Sequence, residues 1–237
     1  MYQPTKIIVL NSLKYGDNGL IVKAYSRDFG LVSYFIKSLS KGKKGKFKKA
    51  FFQPLSQLNI VARHSNKGQL NYIKELDVAY HYQELYTDIV KQSIGLFLAE
   101  LLVNTLEEHQ ADDYLYDFLD KRFRQLDMIE KPANFHLAFI KDYIMHLGVF
   151  PKMENPQPYF DLLEGHYTSV PAGPLWIEGQ ALQYFELIMT RTFEAVLALP
   201  MNKDDRHHSL ESLLNYLDTH LAKYKPPKSL DILRAIF

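Results

Sequence analysis

The chain has 237 residues, 47% of them apolar and 23% charged, which is typical of a soluble globular protein with enough material for a buried core. It has no cysteine, which excludes a disulfide framework and any zinc site built from thiolates. No apolar stretch approaches the ~20 residues needed to cross a bilayer, and the first residues lack the pattern of a signal peptide, so we expect a cytoplasmic protein.

The net charge of +1 conceals two oppositely charged parts. Residues 1–80 carry 14 lysines and arginines against four acids, a net charge of +10. Residues 81–237 carry 14 such bases against 23 acids, a net charge of −9. Such asymmetry is typical of a basic module for nucleic acid or a membrane surface, joined to a different module. The basic part has no amphipathic helix, which favours nucleic acid.

Five strands are predicted in residues 1–80, because short apolar segments rich in β-branched residues alternate there with turns that contain Gly, Asn and Asp. Five short strands within ~80 residues are typical of a small closed barrel of the OB-fold type. The predicted strands cover 6–13, 20–26, 31–37, 55–63 and 70–77.

An OB-fold binds oligonucleotides on the face of its second and third strands and in its 1–2 and 4–5 loops. Because neighbouring residues of a strand point to opposite faces, we expect one of Tyr34 and Phe35 in the core and the other available for base stacking. The residues expected near the face, and then near the 4–5 loop, are Lys23, Arg27, Tyr34 and Lys37, and Arg63 and Lys67.

The third strand leads directly into the most basic segment of the chain, KSLSKGKKGKFKK at 37–49, which has seven lysines and no acid. Its two glycines and single aromatic side chain, Phe47, predict a mobile loop that cannot build a core. Each lysine that neutralises a phosphate releases a counterion, so this pattern favours binding of the segment to a polyanion. A solvated loop kept for solubility is the alternative interpretation. The seven lysines are Lys37, Lys41, Lys43, Lys44, Lys46, Lys48 and Lys49.

Beyond Tyr80 the apolar period changes from two residues to about 3.6, which predicts a mainly α-helical domain over 81–237. Residues 151–177 contain five prolines and are predicted to form an irregular connector. The predicted fold class is therefore α+β with two domains, 1–80 and 81–237. Helices are predicted at 84–107, after Asp112 or Asp113, from Pro132 to Gly148, and at 180–199, 209–224 and 229–237.

No motif of a nucleotide-dependent or hydrolytic enzyme is present: the chain has no P-loop, no dinucleotide-binding GxGxxG and no GxSxG. His207 and His208 come nearest to a metal cluster, but adjacent residues diverge on a helix and no HExxH accompanies them. Paired acids are expected to act as helix caps. We therefore predict a binding protein that is not an enzyme and has no cofactor or metal.

Several segments of the sequence resemble the RecO family of recombinational DNA repair mediators. The resemblance extends over nearly the whole chain and implies an N-terminal OB-fold and a C-terminal helical domain, in agreement with the patterns above. The segments are IIVLNSLKYGDNGLIVKAYSRDFGLVSYFIK, AFFQPLSQLNI, SIGLFLAELLVNTLEE, NFHLAFIKDYIMHLGVFP, YFDLLEGHY and SLDILRAIF.

The resemblance also implies a function. Such proteins bind single- and double-stranded DNA, anneal complementary strands and, with RecR, help to load RecA onto single strands coated by single-stranded-DNA-binding protein. They act in the bacterial cytoplasm at the nucleoid. A basic OB-fold is also compatible with an RNA-binding or translation-associated protein, and an interaction scaffold for an acidic protein is a third interpretation.

Two further expectations come from the family. Many members carry a four-cysteine zinc module in the helical domain, and this chain has instead the cysteine-free region 151–177, so no zinc is predicted. The acidic tail of single-stranded-DNA-binding protein needs an apolar pocket rimmed by cations. The bases that lie beside aromatic residues in the helical domain, with those aromatics, are Lys121, Arg122, Phe123, Arg124, Phe139 and Lys141.

Overall fold

The computed structural model describes residues 2–16, 19–37, 47–65, 71–171, 173–222 and 224–237. The chain divides into two compact units, residues 1–128 and 129–237. The first unit contains a β-barrel and two helices, and the second contains further helices and a small sheet. In the described residues no helix has both the length and the apolar character needed to cross a membrane.

A closed barrel of five strands forms the core of the first unit. The strands are β1 (Tyr2–Tyr15), β2 (Gly19–Ser26), β3 (Gly30–Ile36), β4 (Gln57–Arg63) and β5 (Asn71–Val78). Their order around the barrel is β1-β2-β3-β5-β4. All neighbouring strands are antiparallel except β3 and β5, which pair in parallel over only two positions. This architecture confirms the predicted OB-type barrel and the α+β fold class.

Alternate residues of the strands fill the barrel, as a period of two requires. Ile7, Val22 and Ile60 are at most 2% exposed and belong to one apolar cluster. Phe47, from the end of the lysine-rich segment, is also in this cluster at 8% exposure, with its ring centroid 6.4 Å from that of Phe52. The segment is therefore anchored in the core at its C-terminal end, which the sequence analysis did not anticipate.

Helix α1 (Ile89–Thr105) packs against β1, and α2 (Asp113–Met128) belongs to the same unit. Asp88 caps α1 by accepting hydrogen bonds from the N–H groups of residues 90 and 91, so the helix begins five residues after the predicted start at 84. Asp112 caps α2 in the same way, as the sequence predicts.

Buried Asp127, near the end of α2, binds the segment that links the barrel to α1. Its carboxylate accepts hydrogen bonds from the backbone N–H groups of Gln83, Glu84 and Leu85 at 2.8–3.1 Å. Burial alone would raise the pKa of Asp127, but these N–H donors favour the carboxylate and lower the pKa overall. The buried Lys91 ammonium donates to the Asp127 carbonyl at 2.7 Å. These contacts explain why the compact unit extends to Met128.

The second unit is mainly helical. Its helices are α3 (Phe135–His146), α4 (Gly179–Thr190), α5 (Phe193–Leu197), α6 (Lys203–His220) and α7 (Leu230–Ile236). Helix α3 packs against α5 and α6, and α4 packs against α6. The predicted helix 180–199 is two helices, because Thr192 follows the first and caps the second. A capping box of Asn202 and Asp205 starts α6 before the predicted residue 209.

The region 151–177, predicted to be an irregular connector, contains most of a three-stranded sheet. The prediction is wrong for β6 (Tyr159–Asp161), β7 (His166–Thr168) and β8 (Trp176–Glu178), which pair in the order β7-β6-β8. Each strand has three residues, too few for an alternating pattern to be recognised. Across the described residues, no group of three or more His, Asp or Glu side chains could hold a metal ion.

Candidate nucleic-acid interface

A single row of outward-facing residues crosses all five strands of the barrel. Strand pairing joins its members in turn, from β1 through β2, β3, β5 and β4 and back to the start of β1. The β1–β2 turn and the β3–β4 and β4–β5 connections all leave the barrel beside this row. We call it the aromatic row; its members are Leu13, Ile21, Phe35, Tyr72, Arg63 and Tyr2.

The aromatic row exposes large rings to solvent. Tyr2 is 49% exposed and Tyr72 is 43% exposed, while Phe35 is half-buried between Tyr72 and Tyr15. The Phe35 ring makes edge-to-face contacts with Tyr15 and Tyr72, at centroid distances of 5.5 and 6.0 Å. Tyr15, the last residue of β1, is itself 57% exposed. Tyr15, Phe35 and Tyr72 therefore form a continuous aromatic surface across three strands, and Tyr2 lies beyond Arg63 in the row.

Cations accompany the rings. Arg63 is exposed and lies between Tyr72 and Tyr2 in the strand pairing. The Lys74 ammonium lies 5.7 Å from the centroid of the Tyr2 ring, within range of a cation–π contact, and is partly neutralised by the Glu75 carboxylate at 3.3 Å. Lys37 is exposed one residue beyond β3. The row therefore combines aromatic surface with the positive charge of Arg63 and Lys37.

Lys48 and Lys49 are exposed where the lysine-rich segment returns to the barrel and enters a short 3₁₀ helix, Lys49–Phe52. The other predicted phosphate ligands of the loops, Lys41, Lys43, Lys44, Lys46 and Lys67, lie outside the described residues.

Tyr34 was predicted to lie on the binding face and is instead fully buried. Its hydroxyl shares a 2.9 Å hydrogen bond with Nε2 of His64, and burial raises its pKa well above the ordinary value. The prediction is therefore wrong for Tyr34, because its side chain points into the barrel. Of the two neighbours, Phe35 is the one that reaches the outer surface.

Lys23 and Arg27 lie on β2 and just after it, where they contact acids of the α1–α2 region. The Lys23 ammonium is 3.3 Å from the Glu108 carboxylate. The Arg27 guanidinium is 3.4 Å from Asp113 and 3.1 Å from Asp117. Both cations are thus partly neutralised within the unit, and their part in phosphate binding stays a prediction.

The proposed pocket for an acidic tail does not form around the expected aromatics. Phe123 and Phe139 have no exposed surface, so neither can line an open pocket. Lys141 is 5% exposed, and its ammonium is 2.5 Å from Asp142 and donates to the carbonyl of Arg191. These three residues were misassigned, because an apolar face beside cations looks the same in sequence whether it is exposed or buried.

The cations of α2 in that set have local partners. Arg122 donates to Gln125 at 2.7 Å. Arg124 donates to Asp120 and Gln57, and its guanidinium lies 4.7 Å from the centroid of the Tyr80 ring. Lys121 is exposed. A role for these residues in binding a partner stays a prediction.

The sequence analysis missed Tyr2, Tyr15, Tyr72 and Lys74. A signal was present in β5, where Tyr72 and Lys74 alternate with the buried Asn71 and Ile73. In β1 the alternation of apolar and polar residues was a weaker signal, because the first residues of the strand are polar and the predicted strand began at residue 6. Only the pairing of β1 with β4 brings Tyr2 next to Arg63.

Comparison with known proteins gives matches over nearly the whole chain. The family model described as recombination protein O N terminal matches residues 1–82, and recombination protein O C terminal matches residues 86–231. DNA repair protein RecO of Christiangramia forsetii is 38% identical over 234 residues, covering 98% of both chains. DNA repair protein RecO of Flavobacterium johnsoniae is 36% identical over 241 residues, and that of Flavobacterium psychrophilum is 32% identical over 234 residues, again with 98% of both chains covered.

Proposed function

The chain belongs to the RecO family of DNA repair proteins, and from this premise we propose that it binds single- and double-stranded DNA through its lysine-rich segment and the aromatic row of its barrel and anneals complementary strands. One observation carries the proposal. The lysine-rich segment has seven lysines and no acid among its 13 residues, and Lys37 and Lys48, near its two ends, are exposed, as is Arg63 in the aromatic row.

Annealing requires that the repulsion between two phosphate backbones be screened while the bases stay available for pairing. Lysine side chains screen phosphates by displacing condensed counterions, and they need no contact with base edges. A lysine-rich segment therefore lowers the repulsion without reading the sequence. We expect little preference among DNA sequences for this reason.

We further propose that the protein acts by binding and not by catalysis, in the bacterial cytoplasm at the nucleoid. Its proposed partners are RecR and the acidic C-terminal tail of single-stranded-DNA-binding protein. Its proposed effect on RecA is indirect, through helping RecA to load onto single strands. Membership of the RecO family supports this part of the proposal. Buried Phe123 and Phe139 are not part of the proposed tail site.

The test is a salt titration of binding to a single strand, a duplex and an RNA of equal length, followed by fluorescence anisotropy. For each ligand, log K should fall linearly with log salt, with a slope near −0.7 per phosphate contact on single strands and −0.9 on duplexes. Complementary labelled strands should anneal faster in the presence of the protein. Tighter binding to RNA than to both DNA forms would favour an RNA-binding role. Absence of binding at moderate salt would favour the interaction scaffold.

A further inference from the structure

We infer that the aromatic row, together with Tyr15, is a stacking surface for the bases of a single strand and sets the preference for single strands over duplexes. This inference rests on the proposed function, because it names the ligand class of one part of the same interface. It separates two kinds of contact: lysines that bind any phosphate backbone, and rings that bind only unpaired bases.

The first support is the exposure of the rings. Tyr2, Tyr15 and Tyr72 are each 43–57% exposed on the outside of one small barrel. Exposed aromatic side chains that form a contiguous surface mark interaction sites more often than scattered ones do. Edge-to-face contacts with Phe35 hold Tyr15 and Tyr72 without stacking their rings face to face on each other. Much ring surface thus remains for a base.

The second support is the arrangement of charge along the surface. Arg63 lies between two tyrosines in the strand pairing, and Lys74 lies over the Tyr2 ring. A strand whose bases stack on the rings would bring its phosphates near Arg63, whereas Lys74 is paired with the Glu75 carboxylate at 3.3 Å. Alternation of aromatic and cationic side chains along a groove or surface is how sequence-tolerant single-strand binders combine stacking with charge.

The chemistry of stacking explains why this surface selects single strands. In a duplex each base already stacks on its neighbours, so its face is not available to a protein ring. In a single strand the face can stack on tyrosine or phenylalanine, and stacking leaves the hydrogen-bonding edge of the base unoccupied. A strand held this way can still pair with a complementary strand, which suits annealing.

Tyr114 provides a matched control. It is 83% exposed and lies in α2, outside the aromatic row. Replacing it removes more exposed ring than any single tyrosine replacement in the proposed stacking surface. A difference between the two substitutions therefore reports the position of the ring and not the loss of a tyrosine.

The experiment measures binding of the full chain to a thymidine oligonucleotide, an abasic oligonucleotide of equal length, and a duplex. The double variant Tyr15→Ala/Tyr72→Ala should bind the thymidine strand about 5- to 150-fold more weakly for each stacked base lost. Its affinity for the duplex and for the abasic strand should change less than about twofold, because no phosphate contact is removed. Tyr15→Phe/Tyr72→Phe should keep the affinity of the unchanged protein, and Tyr114→Ala should bind all three ligands as that protein does.

Equal binding of the thymidine strand by Tyr15→Ala/Tyr72→Ala and Tyr114→Ala would overturn the inference while leaving the proposed function intact. A loss of the same size on the duplex would also overturn it, since the rings would then not discriminate between strands. If the unchanged protein bound none of the ligands at moderate salt, the proposed function would fail and the inference with it. Thermal unfolding of each variant checks that the fold is retained.

Discussion

His136, on α3, is a titratable side chain that folding removes from water. It is 1% exposed, and its ring stacks on that of Phe237 with centroids 5.3 Å apart. Burial, with smaller contributions from the charges of Arg206 and His207, lowers the pKa of His136 from 6.5 to about 3. Between these two values the unfolded chain binds a proton that the folded chain does not, so stability falls as the pH falls through this window.

The first prediction concerns this histidine. Between pH 7 and pH 5, His136 should lower the free energy of unfolding by about 2 kcal/mol, at about 1.4 kcal/mol per pH unit below 6.5. Burial also lowers the pKa of His64, which contributes with the same sign. Urea denaturation of His136→Gln at both pH values should therefore show a smaller, but not zero, pH dependence than the unchanged protein. The exposed His208→Gln is the control, and an equal pH dependence in both variants would refute the assignment.

At the scale of single residues, the sequence predicts that neighbouring residues of a strand point to opposite faces. It does not predict which of the two faces lies in the barrel core. The period of two made it clear that Tyr34 and Phe35 point to opposite faces. Both are large and aromatic, and hydropathy alone places the more apolar Phe35 in the core, which is the wrong choice. The decision depends on His64, 30 residues away, whose ring accepts or donates the hydrogen bond that satisfies the buried Tyr34 hydroxyl.

Among the elements, α2 contacts the barrel region through ion pairs that involve Arg27. Its guanidinium contacts Asp113 and Asp117 and lies 5.7 Å from the centroid of the Tyr116 ring. The two acids are 68% and 60% exposed, so the ion pairs contribute little to the free energy of unfolding. Packing of the apolar stem of the arginine adds a further contribution. This environment suits a structural contact more than a phosphate ligand.

The second prediction follows from that environment and uses two arginines as each other's control. Arg27→Ala should lower the free energy of unfolding by about 1 kcal/mol and change DNA affinity less than about twofold. Arg63→Ala, at an exposed position of the aromatic row, should hardly change the free energy of unfolding. It should lower the affinity for DNA and flatten the single-strand salt slope by about 0.7. Urea denaturation and salt titrations measure both effects. A flattened slope in Arg27→Ala would mean that Arg27 reaches phosphate despite its acidic partners.

The elements differ in how well sequence predicts them. The barrel strands and α1–α3 have long runs with a clear period of 2 or 3.6, and all of them were predicted within a few residues of their bounds. Strands β6, β7 and β8 were missed, because three residues do not define a period. The partners of Arg27 could not be predicted either, since Asp113 and Asp117 are 86 and 90 residues further along the chain.

Across the whole molecule, the distribution of charge is the feature that sequence predicts best. The net charge of +10 in residues 1–80 is enough to identify the barrel as the basic module. The fold determines which of these positive charges are paired with acids and which are exposed. Acids of the α1–α2 region pair with Lys23 and Arg27, while Lys37, Lys48 and Arg63 are exposed. We therefore assign the proposed DNA interface to the lysine-rich segment and the aromatic row.

The most direct test of this interface replaces Lys41, Lys43, Lys44 and Lys46 by alanine and measures DNA binding against salt. If these lysines bind phosphates, affinity should fall for every sequence, and the single-strand salt slope should flatten by up to about three units, or ~0.7 per contact. Annealing should fall together with binding, and the free energy of unfolding should hardly change. The matched control removes four exposed lysines outside the barrel: Lys121, Lys131, Lys203 and Lys228. It should leave affinity and slope nearly unchanged. Equal affinity and slope in the two variants would contradict the assignment of this interface, because the lysine-rich segment would then be a solubilising loop.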